Sequence, residues 1–458
     1  MRKAFILILF LGLCLSACNL QAQIATPTQT QPPASTSTPL PSLTPTFTPS
    51  LTPTITPTAT IASKYPLITV PIEAIQVMDD DLQRQTRITA MQVRAWVSKA
   101  NEIYARAGIS FTFNDLDFTY VQSSLLNHIT GTGDPNWFEE IAYGDKLAAN
   151  YPDKLVLFFR WGPDAGATGG GFSSVDYNFV AMPGFLTTKV CGYQNIGLLA
   201  HEISHYLGLS HTFAKVYTSV AEAEAALKSN NNDPSVFDGD GFSDTLPDPF
   251  VALDEYQCKS VPGITLNGTF LPVPRENIMS YYEVRTGLSD MQIDRVRWAL
   301  TMRMVHGMSM PKNAQAPNPQ EAQDLSLLSY SGCSTLIQDM DTWGKQQWLN
   351  GNQLFVTSGK NCSLSLGLPV KVAGKYRLDL YLTSAPDFGQ IQVSLDGKPV
   401  SNPIDLYAPM VLPTGAIPVG IFTLDQQIHR LTFQVVGTNP KSNNYSFGMD
   451  CFSLVPQQ

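Results

Sequence analysis

The segment from His201 to His211, which reads H-E-I-S-H-Y-L-G-L-S-H, contains three of the six histidines in the chain. On a helix, His201 and His205 lie one turn apart and project from the same face, so both imidazoles can bind one metal ion. Gly208 is expected to end this helix, because glycine adopts a left-handed conformation at little cost and lets the chain turn. His211 then supplies a third ligand from outside the helix. The fold must therefore bring three imidazoles together.

The ligand set of this motif indicates a catalytic zinc site. A structural zinc usually has four protein ligands, often thiolates, and no cysteine adjoins the motif. With three histidine ligands, the fourth position stays open for water. Glu202 directly follows the first ligand and is expected beside that water as a general base. The alternatives are a helix whose histidines only pack, a zinc that only stabilises the fold, and a degenerate site without activity.

The motif and the residues after it resemble the metzincin group of zinc endopeptidases, and within that group the pappalysin-like family. The similarity lies in Gly208-Leu209-Ser210-His211-Thr212-Phe213, in Asp244-Thr245, in Asn277-Ile278-Met279-Ser280-Tyr281, and in the helix from Leu288 to Leu300. The chain departs from the family pattern at Ser204, where glycine is usual, and in an insertion-like run over residues 214–232. The resemblance covers roughly the middle half of the chain.

The resemblance implies roles for two further residues and a reaction. Met279 lies beneath the zinc as an apolar floor, and Tyr281 approaches the metal or stabilises the oxyanion. Zinc lowers the pKa of its water to about 7 and polarises the substrate carbonyl. Glu202 takes the proton of that water and passes it to the departing amine. Loss of Glu202 should leave metal binding nearly intact, whereas loss of His205 should abolish both binding and turnover.

The periodicity upstream predicts strand, helix, strand, strand and then the active-site helix, the order expected of a metzincin N-terminal subdomain. Strands are expected over Leu67 to Val77, Ser110 to Phe113, Lys154 to Arg160 and Phe172 to Val180, and a helix over Thr89 to Ala107. We therefore expect an α+β (α/β/α) metzincin-like catalytic domain over residues 65–312. The last strand is either an edge strand above the zinc, where a peptide substrate aligns, or an interior strand without that role.

A second candidate metal site lies in the acidic stretch of residues 233–258, which contains no lysine or arginine. Asp238, Asp240 and Asp244 surround two glycines in a short loop and offer the oxygen ligands that calcium prefers. The loop is not an EF-hand, because Pro249 stands at the twelfth position, where a bidentate acid is required. Two interpretations of this loop remain open: a calcium site and a solvated acidic turn.

The N-terminal residues predict export. Two basic residues precede an apolar run from Ala4 to Leu15 that is too short to span a bilayer, and L-S-A-C follows at residues 15–18. Residues 1–18 resemble a bacterial lipoprotein signal, whose cleavage leaves Cys18 lipidated; a simple secretory signal is the alternative. Residues 19–64 are rich in Thr, Pro and Ser and predict a stalk without a core. We expect a lipid-anchored protein at the bacterial cell surface or on the periplasmic side, or a secreted one.

Five cysteines lie beyond the signal and the lipid site. An oxidising compartment permits a disulfide between Cys191 and Cys258, which would join the approach to the zinc helix to the acidic loop. Two of the remaining three can pair and leave one thiol: Cys333, Cys362 and Cys451.

The C-terminal part predicts a separate all-β domain. A connector rich in Pro, Asn and Gln runs from Met310 to about Gln323, and short alternating strands then indicate a jelly-roll sandwich over residues 325–458. G-K-Y-R-L-D-L-Y and G-M-D-C-F-S-L resemble galactose-binding-like jelly rolls and carbohydrate-binding modules, which implies a carbohydrate ligand. Four aromatic residues either stack on sugar rings or pack in the core, which is the commoner role: Trp343, Trp348, Tyr407 and Tyr445.

Two classes of function therefore compete. The first is a surface-tethered zinc endopeptidase that cleaves extracellular proteins. The second is an adhesin or glycan-binding lipoprotein whose protease domain is idle. The net charge of -9 and the absence of a basic cluster argue against a nucleic-acid partner.

Overall fold

The computed structural model describes residues 63–127, 136–161, 170–184, 189–191, 193–259 and 262–457. The predicted signal, Cys18 and nearly all of the stalk lie outside these residues. Within the part of the chain that is described, no helix combines the length and apolarity needed to cross a bilayer.

A five-stranded parallel sheet organises the N-terminal region. Its order is β2-β1-β4-β5, and β3 also pairs with β1. The strands are β1 Ile68–Met78, β2 Ile109–Thr112, β3 Phe118–Gln122, β4 Leu155–Arg160 and β5 Phe179–Pro183. Four two- to four-residue strands form two small hairpins: β6 Lys189–Val190 with β7 Tyr193–Gln194, and β8 Gly263–Leu266 with β9 Thr269–Pro272.

Helices cover both faces of this sheet. They are α1 Ala90–Tyr104, α2 Ser124–Asn127, α3 Trp137–Ala148, α4 Leu198–Tyr206 and α7 Asp290–Val305, whereas α5 Val220–Ser229 and α6 Asp254–Gln257 pack around a separate core with β8. Strand β4 is buried along its whole length. Leu157 and Phe159 enter the core shared with α1 and α4, whereas Phe158 enters the core that contains Trp137 of α3. Because successive strand side chains point to opposite faces, this partition defines three α/β/α layers and confirms the predicted fold class.

The sequence correctly locates α1, because its signals are local. Thr89 and Gln92 form a capping box at its start. The predicted apolar face is buried, including Trp96 and Tyr104. The helix packs against α4, where the histidine motif lies.

The strand predicted from Phe172 to Val180 is not continuous. Phe172 forms an antiparallel bridge with Ala181, while β5 begins only at Phe179. Between them the backbone N–H of Tyr177 donates to the carbonyl of Ser174 over 3.1 Å and closes a turn. Ser, Asp and Asn at residues 174, 176 and 178 favour turns because their side chains compete for backbone hydrogen bonds. The segment before the turn therefore lies along the outer edge of β5.

The C-terminal region is a curled antiparallel sandwich of ten strands, which confirms the predicted all-β class. Its main order is β15-β14-β18-β12-β19-β13-β17, with β10 on β19, β11 on β12 and β16 on β14. The strands are β10 Pro319–Glu321, β11 Ser326–Asp339, β12 Asn352–Pro369, β13 Gly374–Ser384, β14 Gly389–Leu395, β15 Lys398–Pro399, β16 Ile404–Asp405, β17 Leu412–Leu424, β18 Ile428–Thr438 and β19 Phe447–Pro456. Because β10 pairs with β19, the sheet begins upstream of residue 325.

The four aromatic candidates for sugar stacking occupy different environments. Trp348 is buried, and its Nε1–H donates to Thr383 Oγ1 over 2.8 Å, so it is a core residue. Tyr445 is partly buried against the sandwich core, and Tyr407 bridges to Ala385. Trp343 has 40% of its surface exposed.

Two disulfides occur among the described cysteines. The predicted Cys191–Cys258 pair is present, and Cys333 pairs with Cys362 between β11 and β12. Cys451 is a buried free thiol. The first disulfide joins residues 67 positions apart, whereas the second joins residues 29 apart.

Replacing both Cys191 and Cys258 with alanine should lower the free energy of unfolding by about 4 kcal/mol, because the unfolded chain loses a long closed loop. Denaturant unfolding under non-reducing conditions measures this loss. The double alanine variant of Cys333 and Cys362 is the matched control, and its loss should be smaller because its loop is shorter. Equal unfolding midpoints for the wild type and the Cys191/Cys258 variant would contradict the prediction.

Candidate active site

The three histidines of the motif converge on one point. The Nε2 atom of His211 lies 3.2 Å from Nε2 of His201 and 3.0 Å from Nε2 of His205. All their candidate ligand atoms lie within 4.8 Å of one another, and the described residues contain no other group of three or more His, Cys, Asp or Glu side chains so arranged. The sequence-predicted ligand set is thus brought together.

The other ring nitrogens hold two of these histidines in place. Nδ1 of His201 lies 2.7 Å from the carbonyl oxygen of Ile278, and Nδ1 of His205 lies 2.7 Å from that of Leu209. Because a carbonyl only accepts, each Nδ1 carries the proton and each Nε2 keeps its lone pair for a metal. Burial lowers the pKa of His205 to about 4 and holds the pKa values of His201 and His211 well below the ordinary value. Three neutral imidazoles fit a zinc ion.

The turn after α4 follows the predicted geometry. Gly208 has φ +82, in the left-handed region that favours glycine. Its N–H donates to the carbonyl of His205 over 2.9 Å, and the N–H of Leu209 donates to that of Ser204 over 2.9 Å. These bonds end the helix and direct the chain toward His211.

Ser204 fits the position where the family usually has glycine. Its hydroxyl donates to the carbonyl of Ala200 over 2.8 Å and lies 2.8 Å from the Tyr104 hydroxyl of α1. A buried hydroxyl with two partners avoids the cost of an unsatisfied polar group. The departure therefore leaves the ligand helix intact.

Glu202 is buried beside the histidines. Burial raises its pKa to about 8, and the charges of Arg285 and Arg160 act in the opposite direction. Gly171, on the segment outside β5, approaches so closely that a Cβ there would lie 2.5 Å from Glu202 Cγ. Gly171 directly precedes the strand predicted from Phe172, and its contact with Glu202 joins residues 31 positions apart, so it has no local signal in the sequence.

The N-I-M-S-Y segment lies against the ligands. Met279 is fully buried, and its carbonyl accepts from the N–H of Thr212, the residue after His211, over 3.2 Å. The Tyr281 hydroxyl lies 3.1 Å from Nε2 of His211. Tyr281 is therefore in direct contact with the histidine cluster.

A buried carboxylate outside the predicted site residues connects the two sides of the site. Asp248 accepts from Thr212 Oγ1 over 2.6 Å and from the Tyr282 hydroxyl over 2.8 Å. Burial raises the pKa of Asp248 to about 6. Asp248 thus links Thr212, which follows His211, to Tyr282, which follows Tyr281. It fixes the positions of Thr212 and Tyr282 relative to each other.

The structure does not support the predicted calcium site. Asp238 accepts from the N–H groups of Asp240 and Gly241, and Asp240 accepts from Phe242 N–H and from Thr245. Asp244 accepts from Ser289 Oγ and from the Met291 N–H at the start of α7. These carboxylates stabilise a turn and a helix N-terminus instead of converging on one point.

The histidine cluster lies in a segment that matches a metallopeptidase family. Residues 158–301 match the Peptidase_M43 family model, described as Pregnancy-associated plasma protein-A. The matched segment contains α4, the turn to His211, Tyr281 and the first turns of α7 through Thr301. The predicted pappalysin-like family is thereby confirmed for this part of the chain.

Other comparisons give more distant similarities. Solved structures similar to this chain include Paenibacillus xanthan lyase, with 19% identity over 32% of this chain and 14% of that one (TM-score 0.27). A family 35 carbohydrate binding module from Clostridium thermocellum has 9% identity over 31% of this chain and 99% of the module (TM-score 0.22). The GH26-CBM35 β-(1,4)-mannanase of Podospora anserina has 13% identity over 31% and 27% (TM-score 0.21). The chain thus spans under a third of the lyase and the mannanase. No curated protein matches the chain.

Proposed function

We propose that this protein is a zinc endopeptidase that hydrolyses peptide bonds of extracellular proteins. The observation that carries the proposal is the convergence of three neutral histidines next to the buried Glu202, within a segment that matches a metallopeptidase family. A zinc ion held by His201, His205 and His211 would supply a Lewis acid and lower the pKa of a water molecule to about 7.

The side chains around the histidines supply the remaining chemistry. Glu202 would take the proton of the attacking water and transfer it to the leaving amine. The hydroxyl of Tyr281 would donate a hydrogen bond to the oxygen of the tetrahedral intermediate. Because Gly171 contacts Glu202, a peptide that pairs with the backbone at residues 170–173 would lie beside the general base.

The cellular setting is proposed from the sequence. Cleavage before Cys18 and its lipidation would anchor the protein at the bacterial cell surface or on the periplasmic side, with residues 19–64 as the stalk. The two disulfides are consistent with an exported protein. Carbohydrate binding by the sandwich stays a prediction from its sequence resemblance.

Metal removal tests the proposal. The His205→Ala variant should bind no stoichiometric zinc and should not cleave casein, since two imidazoles no longer complete the site. His306→Ala is the control, because His306 is exposed after the end of α7 and outside the cluster. It should retain one zinc and wild-type cleavage, and a chelator should abolish both. Cleavage by the wild type in excess chelator would contradict a zinc mechanism, and a zinc-loaded protein that cleaves no peptide in a library would favour the adhesin alternative.

A further inference from the structure

We propose that the C-terminal sandwich is a structural part of the zinc site: its β16–β17 loop, residues 406–411, supports the turn at Gly208 that positions His205 and His211. The inference rests on the proposed zinc site and adds to it a role for the second domain. Met410 and Arg295 are the positioning residues.

Met410 packs directly against the turn. A Cβ at Gly208 would lie 3.1 Å from Met410 Sδ, 3.3 Å from its Cε and 3.6 Å from Val175 Cγ2. The thioether thus occupies the space next to Gly208 that a side chain would take. Methionine suits such a contact, because its flexible chain fills irregular gaps.

Arg295 of α7 joins the same turn to the same loop. Its Nη1 donates to the carbonyl of Gly208 over 3.4 Å, and its Nη2 donates to the carbonyl of Pro409. The guanidinium lies 5.1 Å from the centre of the Phe242 ring, which belongs to the core around α4. One cationic group therefore bonds to both domains at the end of the active-site helix.

The supported turn is in direct contact with the ligands. The N–H of Gly208 bonds to the carbonyl of His205, and the carbonyl of Leu209 accepts from Nδ1 of His205. His211 follows two residues later. A shift of this backbone would move two of the three imidazoles, and contacts that orient metal ligands typically change metal affinity by about 10- to 100-fold.

The connector between the domains is bonded to both of them. Asn313 is fully buried: its N–H donates to the carbonyl of Gln347, its Nδ2 to that of Leu382, and its Oδ1 accepts from Gly415 N–H, over 2.8 to 2.9 Å. Lys312 Nζ lies 2.9 Å from Asp145 Oδ2, with both side chains mostly buried. Buried polar groups satisfied across two domains favour one relative arrangement.

The test compares Met410→Ala and Arg295→Met with Met449→Ala. Met449 is buried in the sandwich core, so its truncation destabilises the sandwich without touching the turn. In metal-free full-length protein, hydrogen–deuterium exchange of peptides spanning residues 207–211 should increase in the first two variants and not in the control. Zinc affinity, measured by competition with a chromogenic chelator, should fall about 10-fold or more in the first two variants only.

Unchanged exchange and zinc affinity in both Met410→Ala and Arg295→Met would overturn the inference. Equal changes in Met449→Ala would also overturn it, because they would reflect general loss of sandwich stability. Met410 is partly exposed, so its alanine variant is expected to fold. Absence of zinc binding by the wild type would instead refute the proposed function, while the exchange of the metal-free protein would still report whether the loop supports the turn.

Discussion

Replacing Glu202 with glutamine should lower kcat by about 10²- to 10⁴-fold while one zinc ion stays bound, because general-base catalysis contributes a factor of that size. The amide keeps the shape of the carboxylate but does not accept the proton of the attacking water. Glu202 follows a ligand without belonging to the histidine cluster, so its replacement leaves the three Nε2 atoms in place. Initial rates on a fluorogenic peptide and zinc analysis of the same sample measure the two effects.

Stability provides an internal check on this variant. Burial raises the pKa of Glu202 to about 8, above its ordinary value of 4.5, so in metal-free protein ionisation opposes folding as the pH rises from 4.5 through 8. The glutamine variant should therefore unfold at an equal or higher temperature than the wild type at pH 8, without metal. Glu140→Gln is the matched control, since Glu140 is also buried near Arg160 but lies on α3. Wild-type kcat in the zinc-loaded Glu202→Gln variant would exclude this residue as the base.

Replacing Arg303 with methionine should lower the free energy of unfolding by about 4 kcal/mol, because four carbonyl groups lose this donor at about 1–3 kcal/mol each. The lower end of that range applies, since the contacts to Val175 and Tyr177 are only partly buried and the Met308 carbonyl keeps the Tyr206 hydroxyl as a donor. The fully buried guanidinium donates to the carbonyls of Tyr206, Met308, Val175 and Tyr177. It also lies 3.4 Å from the centre of the Tyr206 ring at the end of α4. Methionine preserves helix propensity, so the loss reports these contacts.

Chemical denaturation of metal-free protein measures this change. Arg297→Met is the control on the same helix: Arg297 is partly exposed and donates to only two carbonyls, those of Pro66 and Ala107. Its effect should be smaller because water can replace the guanidinium at a partly exposed site. If the Arg303 and Arg297 variants unfold at the same denaturant concentration, the buried network does not contribute the expected stability.

Local signals in the sequence account for the correct predictions. His201 and His205 share a helix face because helical geometry places residues four apart on one side. The turn at Gly208 and the capping boxes at Thr89 and Ser289 depend on neighbouring residues, so they are also readable from the chain. The prediction of a continuous strand over residues 172–180 is wrong. The apolar residues in this segment favour a strand, but the polar residues between them form a turn.

The calcium alternative for the acidic loop is unsupported for a related reason. The spacing of Asp238, Asp240 and Asp244 shows which oxygens are available but not which donors already occupy them. Asp244 bonds to Ser289 and Met291, more than forty residues away along the chain. Such competition is decided by the folded arrangement of α7 and the acidic loop.

The amino-acid sequence by itself determined the helix that carries His201 and His205, its glycine turn, the position of Glu202 on that helix and the two classes of domain, since each depends on residues close together in the chain or on a regular period. Tertiary structure alone decided the approach of Gly171 to Glu202, the links made by Asp248 and Arg303, and the packing of Met410 against Gly208. These contacts join segments that are far apart in the chain. No spacing in the sequence indicates which of their side chains will meet. Their partners are selected by burial, because a buried polar group must find a bond and a buried surface must be filled.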